Sequence, residues 1–215
     1  MFVDTSSRII GIDDGPFTKH QETAPLVAAL LEGPHLQKVH ATRITVDGLD
    51  ATEKALGLLR RWKPVPILLS GVTFAGFNLI DPHMLHRKYR VPVVVVVGSR
   101  PDNSAVKRAL VKHFPDWKRR WRIISSLGPL RTVRTNPDEP PIHYEFFGCS
   151  SKQASTLLKS CSYVSRLPEP VRVAGLLATG LFSPKQTYAA PDYQPPVVSN
   201  PPPGKKGTPK FAANS

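Results

Sequence analysis

Pro92-Val-Val-Val-Val-Val97 places five β-branched residues in a row with no polar residue to turn toward solvent. That composition fits a strand buried on both faces, and so a central, parallel position in a sheet covered on each side. Working outward, Ile67-Leu-Leu69 reads as a second buried strand that stops at Ser70-Gly71. Before it, residues 51–62 carry Ala51, Ala55, Leu58 and Trp62 at helical spacing. They follow Asp50-Ala-Thr-Glu53, which has the form of a capping box. His40 to Val46 alternates as a strand does, and Pro25 to Leu31 fits strand or helix equally. Arg8-Ile-Ile-Gly-Ile12 is a short strand that ends in the turn cluster Asp13-Asp14-Gly15-Pro16. Beyond the valine run, the spacing predicts a helix over 104–114 and a strand over 142–147. Ser150-Ser-Lys-Gln153 is a second capping box, and Pro168 is placed to open a last helix with Ala174, Leu177 and Ala178 inward. The whole reads as an α/β sheet with helices on its faces.

Lys and Arg number 29 against 16 Asp and Glu in 215 residues, a net charge of +13. Such a surface attracts polyanions, nucleic acid first among them, because neutralised phosphates release condensed counterions. The longest apolar run, Val91 to Val97, is far short of the roughly 20 residues that cross a bilayer. The N-terminal residues lack the basic and apolar regions of a secretory signal. Cys149 and Cys161 are too few for a disulfide framework and too far apart for a zinc site, so a reduced, cytoplasmic setting is expected. The chain divides near residue 183. Residues 184–215 carry eight prolines and four lysines with little aliphatic pattern, and are expected to form a disordered, basic tail to the domain of residues 1–183. Pro203-Gly-Lys-Lys-Gly-Thr208 has neither the spacing nor the preceding strand of a phosphate loop.

Chemistry in open α/β sheets gathers where strands stop. Two strand ends here carry acids before a turn, Gly11-Ile-Asp13-Asp-Gly15 and Val46-Asp47-Gly48-Leu-Asp50, and a third carries Ser70 in the comparable place. Carboxylates converging at strand tips repel one another unless a hard cation lies between them, and Mg²⁺ held this way suits phosphodiester hydrolysis. Each Asp-Gly is equally a turn, and Asp50 equally a helix cap.

Gly11-Ile-Asp-Asp-Gly-Pro-Phe17, Val46-Asp-Gly-Leu-Asp-Ala-Thr52, Gly71-Val-Thr-Phe-Ala-Gly-Phe-Asn-Leu-Ile-Asp81 and Leu167-Pro-Glu-Pro-Val-Arg172 resemble the archaeal endonuclease dU family, a group similar to endonuclease V. The resemblance runs in order from about Arg8 to Phe182. It implies an RNase H-like, endonuclease V-like mixed sheet with helices on its faces. It also implies a Mg²⁺-dependent endonuclease, with Mn²⁺ as a substitute, acting on damaged DNA, duplex or single-stranded, in which deoxyuridine is the lesion. Carried over by position, the first acid falls on Asp13 and the second on Asp47, which would hold the metal, and Ser70 stands where endonuclease V has a third acid. Gly175 stands where a histidine or acid is expected after Arg172. Asp14, Asp50 and Asp81 are candidates to compensate. These two departures imply a second reading, an RNase H-like protein that binds nucleic acid without cutting it.

Three basic clusters, Arg60-Arg-Trp-Lys63, His86-Arg-Lys-Tyr-Arg90 and Lys118-Arg-Arg-Trp-Arg122, set aromatics beside cations, which suits either phosphate contact and base stacking or half-buried anchors on solvated faces. Arg100, just past the central strand, is placed to hold a phosphate. Phe77 and Asn78, in the Phe74–Asn78 loop, could enter a base step or line a base pocket, or form a packed loop. Arg172 is a further candidate for nucleic-acid contact.

Overall fold

The computed structural model describes residues 8–18 and 20–182. In chain order the strands are β1 (Arg8–Asp14), β2 (Thr23–Glu32), β3 (His35–Thr45), β4 (Ile67–Ser70), β5 (Thr73–Phe74), β6 (Asn78–Leu79), β7 (Val93–Val97), β8 (Arg131–Val133) and β9 (Ile142–Phe147). The helices are α1 (Ala51–Leu59), α2 (Pro82–Tyr89), α3 (Asn103–His113), α4 (Trp117–Ser125), α5 (Ser151–Ser160) and α6 (Glu169–Phe182). No helix among the described residues is long and apolar enough to cross a membrane. The proline-rich stretch 184–215 lies outside the described residues.

Seven strands form one mixed sheet in the order β3-β2-β1-β4-β7-β9-β8, and β5 pairs with β6 in a separate short ribbon. β1, β4 and β7 run parallel, with Ile12 beside Leu69 and Ser70 beside Val96, so their C-terminal ends share one edge. The valine strand is central, but parallel on one side only: β9 pairs with it antiparallel, Val95 opposite Glu145. A β-branched run reports that both faces are buried and says nothing of the partner's direction. The ambiguous stretch 25–31 is the middle of β2, buried almost throughout between β1 and β3.

Alternation along the strands sorts the core into two layers. Ile10, Ile12, Leu69, Val93 and Val95 face α1 and α2, against Ala55, Leu59 and Leu85. Leu68, Val94 and Val96 face the other way, against Leu157 and Leu158 of α5 and Val171 of α6. Farther along that second face, Val27, Ala29 and Leu31 of β2 receive Ala174 and Ala178 of α6. The Ser150–Gln153 capping box forms in full, side chain to backbone in both directions. Its counterpart at Asp50 does not. Asn78 supplies the acceptor for the Ala51 amide at 3.0 Å, and the Asp50 carboxylate turns back to the Thr45 amide at 3.1 Å. Helix α1 also ends at Leu59, so Trp62 packs as a buried anchor beyond it, its indole N–H donating to His40 Nε2.

The seating of α6 on β1 is unusually close. A Cβ built on Gly11 would lie 2.0 Å from the carbonyl carbon of Pro170, which is backbone and has nowhere to go. Only glycine admits this approach. Gly11→Ala must push the helix off the strand, and overpacking of this kind costs about 1–3 kcal/mol or more. The expected outcome is a melting temperature lower by roughly 3–10 °C with the fold otherwise retained; an unchanged melting temperature would show that α6 does not sit this close.

Candidate functional site

Asp13 and Ser70 lie on the same face of the sheet as Val96, at the shared edge where β1, β4 and β7 end, and with Gly98, Val171 and Arg172 they line a pocket of about 380 Å³. The strands fix this grouping. Residues two apart point the same way, so Asp13 and Ser70 share the face of Leu68 and Val94, which α5 and α6 cover. Asp14 is the next residue and points to the opposite face.

Asp13 is pressed between the sheet and the last helix. A Cβ on Gly175 would stand 2.4 Å from Asp13 Oδ2, so the carboxylate fills the space that a side chain at 175 would need. Burial pushes its carboxyl up to about 7, and the neighbouring Asp14 charge adds to the rise. Hydrogen bonds from the Asp14 amide, at 2.9 Å, and the Ser70 hydroxyl work the other way. A carboxyl tuned this far can exchange a proton near neutral pH, or hold a cation that favours its charged form. Arg172 reaches the pocket from the first turns of α6, its guanidinium doubly bonded to Glu169, which is buried. That bracing orients the arginine and raises its own pKa further.

Asp47 does not line this pocket. It sits in the turn after β3 with φ 55°, and its Oδ1 accepts the Phe77 amide at 2.8 Å while its own amide donates to the Ala75 carbonyl at 2.9 Å. Asp14 takes the Ala75 amide at 2.6 Å, and burial raises its pKa as well. Two of the acids thus bracket the 75–77 turn. Arg120 completes that clamp from α4. It is 4% exposed, pairs with Asp116 at 3.0 Å, and donates to the carbonyls of Asp47, Gly48 and Phe77 at 2.9, 2.9 and 2.6 Å. Its guanidinium also lies over Phe114, 4.3 Å from the ring centroid. The basic run 118–122 reads as a solvated face, yet its third residue is the most buried cation described. Only its spacing to Ile124, four residues on and also buried, hints at this.

Several further expectations are corrected. Asn78 is fully buried and spends its amide on Thr45, Asp50 and Ala51, so it is no nucleic-acid contact. Phe77 is half-buried and packs edge-on against Phe114 at 5.4 Å, the packed-loop alternative. Asp50 is held below the usual carboxylate range by its Asn78 and Thr45 bonds, which outweigh burial, and Asp81 caps α2 through the His83 and Met84 amides. Neither compensates at the pocket. Arg100 is exposed beyond β7, next to the pocket-lining Ser99 and Pro101. Both cysteines are free.

Among the described residues Asp13 is the single carboxylate lining the pocket, and no group of three or more His, Cys, Asp or Glu is set to hold a metal. This donor set does not fit a cation clamped between Asp13 and Asp47. It does fit a hydrated Mg²⁺ carried by Asp13, since Mg²⁺ commonly keeps its waters and uses one or two carboxylates plus substrate phosphates.

Residues 5–182 match the family model described as Endonuclease dU. A UPF0215 protein of Methanopyrus kandleri is 37% identical over 179 residues, covering 81% of this chain and 90% of that one. A protein of unknown function from Archaeoglobus fulgidus superposes with TM-score 0.73 at 30% identity, over 83% of this chain and 99% of the other. The catalytic domain of human endonuclease V gives 0.53 at 17%, over 82% and 84%. Ciona intestinalis endonuclease V, in complex with a DNA containing an inosine followed by a ribo-adenosine, gives 0.52 at 19%, over 78% and 82%. The fold is therefore RNase H-like, of the endonuclease V kind.

Two outcomes follow from this geometry. Arg120→Met strips three carbonyls of their donor and leaves the part-exposed Asp116 unpaired, and a buried acceptor left unsatisfied costs about 1–3 kcal/mol, read as a clear fall in melting temperature. For Asp13 the sign is opposite. Its folded pKa lies above the unfolded one, so folding takes up a proton and stability falls as pH rises from about 4 to about 7. Asp13→Asn should melt above wild type at about pH 8, with the gap closing toward about pH 4; a gap independent of pH would place the Asp13 carboxyl in water.

Proposed function

The chain belongs to the endonuclease dU family, and from that premise we propose that it is a Mg²⁺-dependent endonuclease that cuts deoxyuridine-containing DNA at the Asp13 pocket, in DNA repair in the cytoplasm. The observation that carries the reading is the half-buried, partly desolvated Asp13 carboxyl, with Ser70 and the braced Arg172 beside it at the converging ends of three parallel strands. The net charge of +13 and a fold that in Ciona endonuclease V accommodates inosine-containing DNA support nucleic acid as the substrate class.

Asp13 would hold the hydrated Mg²⁺, with Mn²⁺ as a substitute, and the Ser70 hydroxyl keeps the carboxylate turned toward the pocket. When bound, such a metal orients a water and offsets charge on the phosphate. Arg172 faces the same space, fixed by Glu169, and is suited to grip a phosphate oxygen; Val96 and Val171 keep bulk water from its sides. Arg100 extends the cationic track past the pocket. The second reading, binding without cutting, rests on Ser70 and Gly175, which leave a single carboxylate where the resemblance leads one to expect more.

A panel of uracil-containing and undamaged oligonucleotides with Mg²⁺ or Mn²⁺ separates the two. Nicking confined to uracil strands is expected from wild type, with Asp13→Asn lowering it by orders of magnitude. Asp47→Asn keeps an acceptor for Phe77 and should retain most of the activity, whereas Ser70→Asp adds a second acid beside Asp13 and should raise it. Salt-dependent binding with no nicking under either metal would establish the second reading instead.

A further inference from the structure

Glu145 is 7% exposed, and no hydrogen bond or ion pair reaches it from any described residue. It stands on β9 opposite Val95, on the face of the sheet away from Asp13. Its environment is not sealed core. Glu145 lines a second cavity of about 560 Å³, whose walls include Arg100, Lys107, Trp121 and Ser125. That volume lies within the range of small-molecule sites, roughly 300–1,000 Å³. Lys107 of α3 holds its Nζ 5.3 Å from the Trp121 ring centroid, so the cation and the indole form one wall together.

Glu145 has no side-chain partner, and among the described residues no buried side-chain oxygen is left without one, so its carboxylate meets solvent through this cavity, while partial burial pushes the carboxyl up to about 7. The cavity therefore asks for three things in sequence: an N–H donor at its floor, a flat apolar body beside Trp121, and an anion at the Arg100–Lys107 rim. A nucleotide supplies all three. The cavity is also next to the first pocket. Pro101 lines both, and the 98–102 segment rounds the sheet edge between them, giving Gly98 and Ser99 to one side and Arg100 to the other.

We propose that this second cavity receives a base extruded from the bound strand, with Glu145 accepting a ring N–H such as that of uracil and Arg100 and Lys107 holding the flanking phosphates. The inference rests on the nucleic-acid reading of the Asp13 pocket and adds to it the place where the base is read. A strand laid over the 98–102 segment would present a phosphate to Asp13 and Arg172 on one face and the adjoining base to Glu145 on the other. Base extrusion of this kind pays for unstacking with hydrogen bonds to the base edge.

The test measures binding apart from cutting. In the Asp13→Asn background, fluorescence anisotropy compares short single strands that differ at one position, uracil against N3-methyluracil, which stacks alike but lacks the ring N–H. The uracil strand should bind about tenfold more tightly, the usual scale of one hydrogen bond to a charged group. Adding Glu145→Leu should bring that ratio to near one, and Glu145→Gln, which keeps an acceptor, should restore part of it. Ser125→Trp, at the exposed end of α4, fills the cavity from its rim without touching the core and should also abolish the ratio if Leu is not tolerated at 145. A ratio near one in Asp13→Asn itself, or a ratio that survives both Glu145→Leu and Ser125→Trp, overturns the proposal. Nicking by otherwise wild-type protein, run in parallel, keeps the two readings apart: nicking with no discrimination at Glu145 sinks only this inference, and discrimination without nicking sinks only the nuclease.

Discussion

The contact on which the site depends is the seating of the last helix directly on the first strand. Gly11 lets the Pro170 backbone come within a distance that no side chain would permit, and Gly175 leaves on the helix the one gap that Asp13 fills. Close packing removes water from the carboxyl, and removal of water is the largest contribution to its raised pKa. The same contact brings Arg172, one helical turn before Gly175, to the pocket and buries Glu169 beneath it. Helix position, acid strength and the cation beside the acid are thus one geometric fact.

A second set of bonds, on the opposite face, decides what the pocket lacks. Asp14, Asp47 and Arg120 clamp the turn after β5, satisfying its amides and carbonyls from three separate elements. Asp47 and Ala75 both adopt left-handed backbone there, at φ 55° and 44°, a conformation that persists only where surroundings over-determine it. An acid committed to holding a turn is not offered to a pocket on the other side of the sheet. The chemistry is left to one carboxylate, and so to whatever cation and phosphate oxygens join it.

Much of this was legible in the sequence because it is local. The valine strand, the 142–147 strand and the Ser150–Gln153 cap are each settled within a few residues, and the cap forms just as its spacing implies. Asp50 offers the same spacing and fails, because Asn78 arrives from far along the chain to take the Ala51 amide. Arg120 fails for the same reason in reverse: its partners at Asp47, Gly48 and Phe77 are brought to it only by the fold, so a run of cations reads as surface. Asp13 and Ser70 were legible as strand-end residues, and their common face follows from period-two alternation once β1 and β4 are paired. Asp13 and Asp47 look alike in sequence, since each precedes a turn. Which face of the sheet each serves is a matter of pairing and register. Glu145 carried no signal at all, lying mid-strand between aromatic residues with nothing to mark the cavity above it.

The measurement closest to the central claim is a direct titration of the Asp13 carboxyl carbon by NMR, in protein labelled at aspartate and assigned through Asp13→Asn, with and without Mg²⁺. A midpoint near 7 in the free protein, moving lower as Mg²⁺ is added, is the result expected of a carboxyl desolvated by α6 and available to a cation. A midpoint near the ordinary value of 3.8, unmoved by Mg²⁺, would mean that water reaches Asp13 freely and that the pocket is not where the chemistry lies.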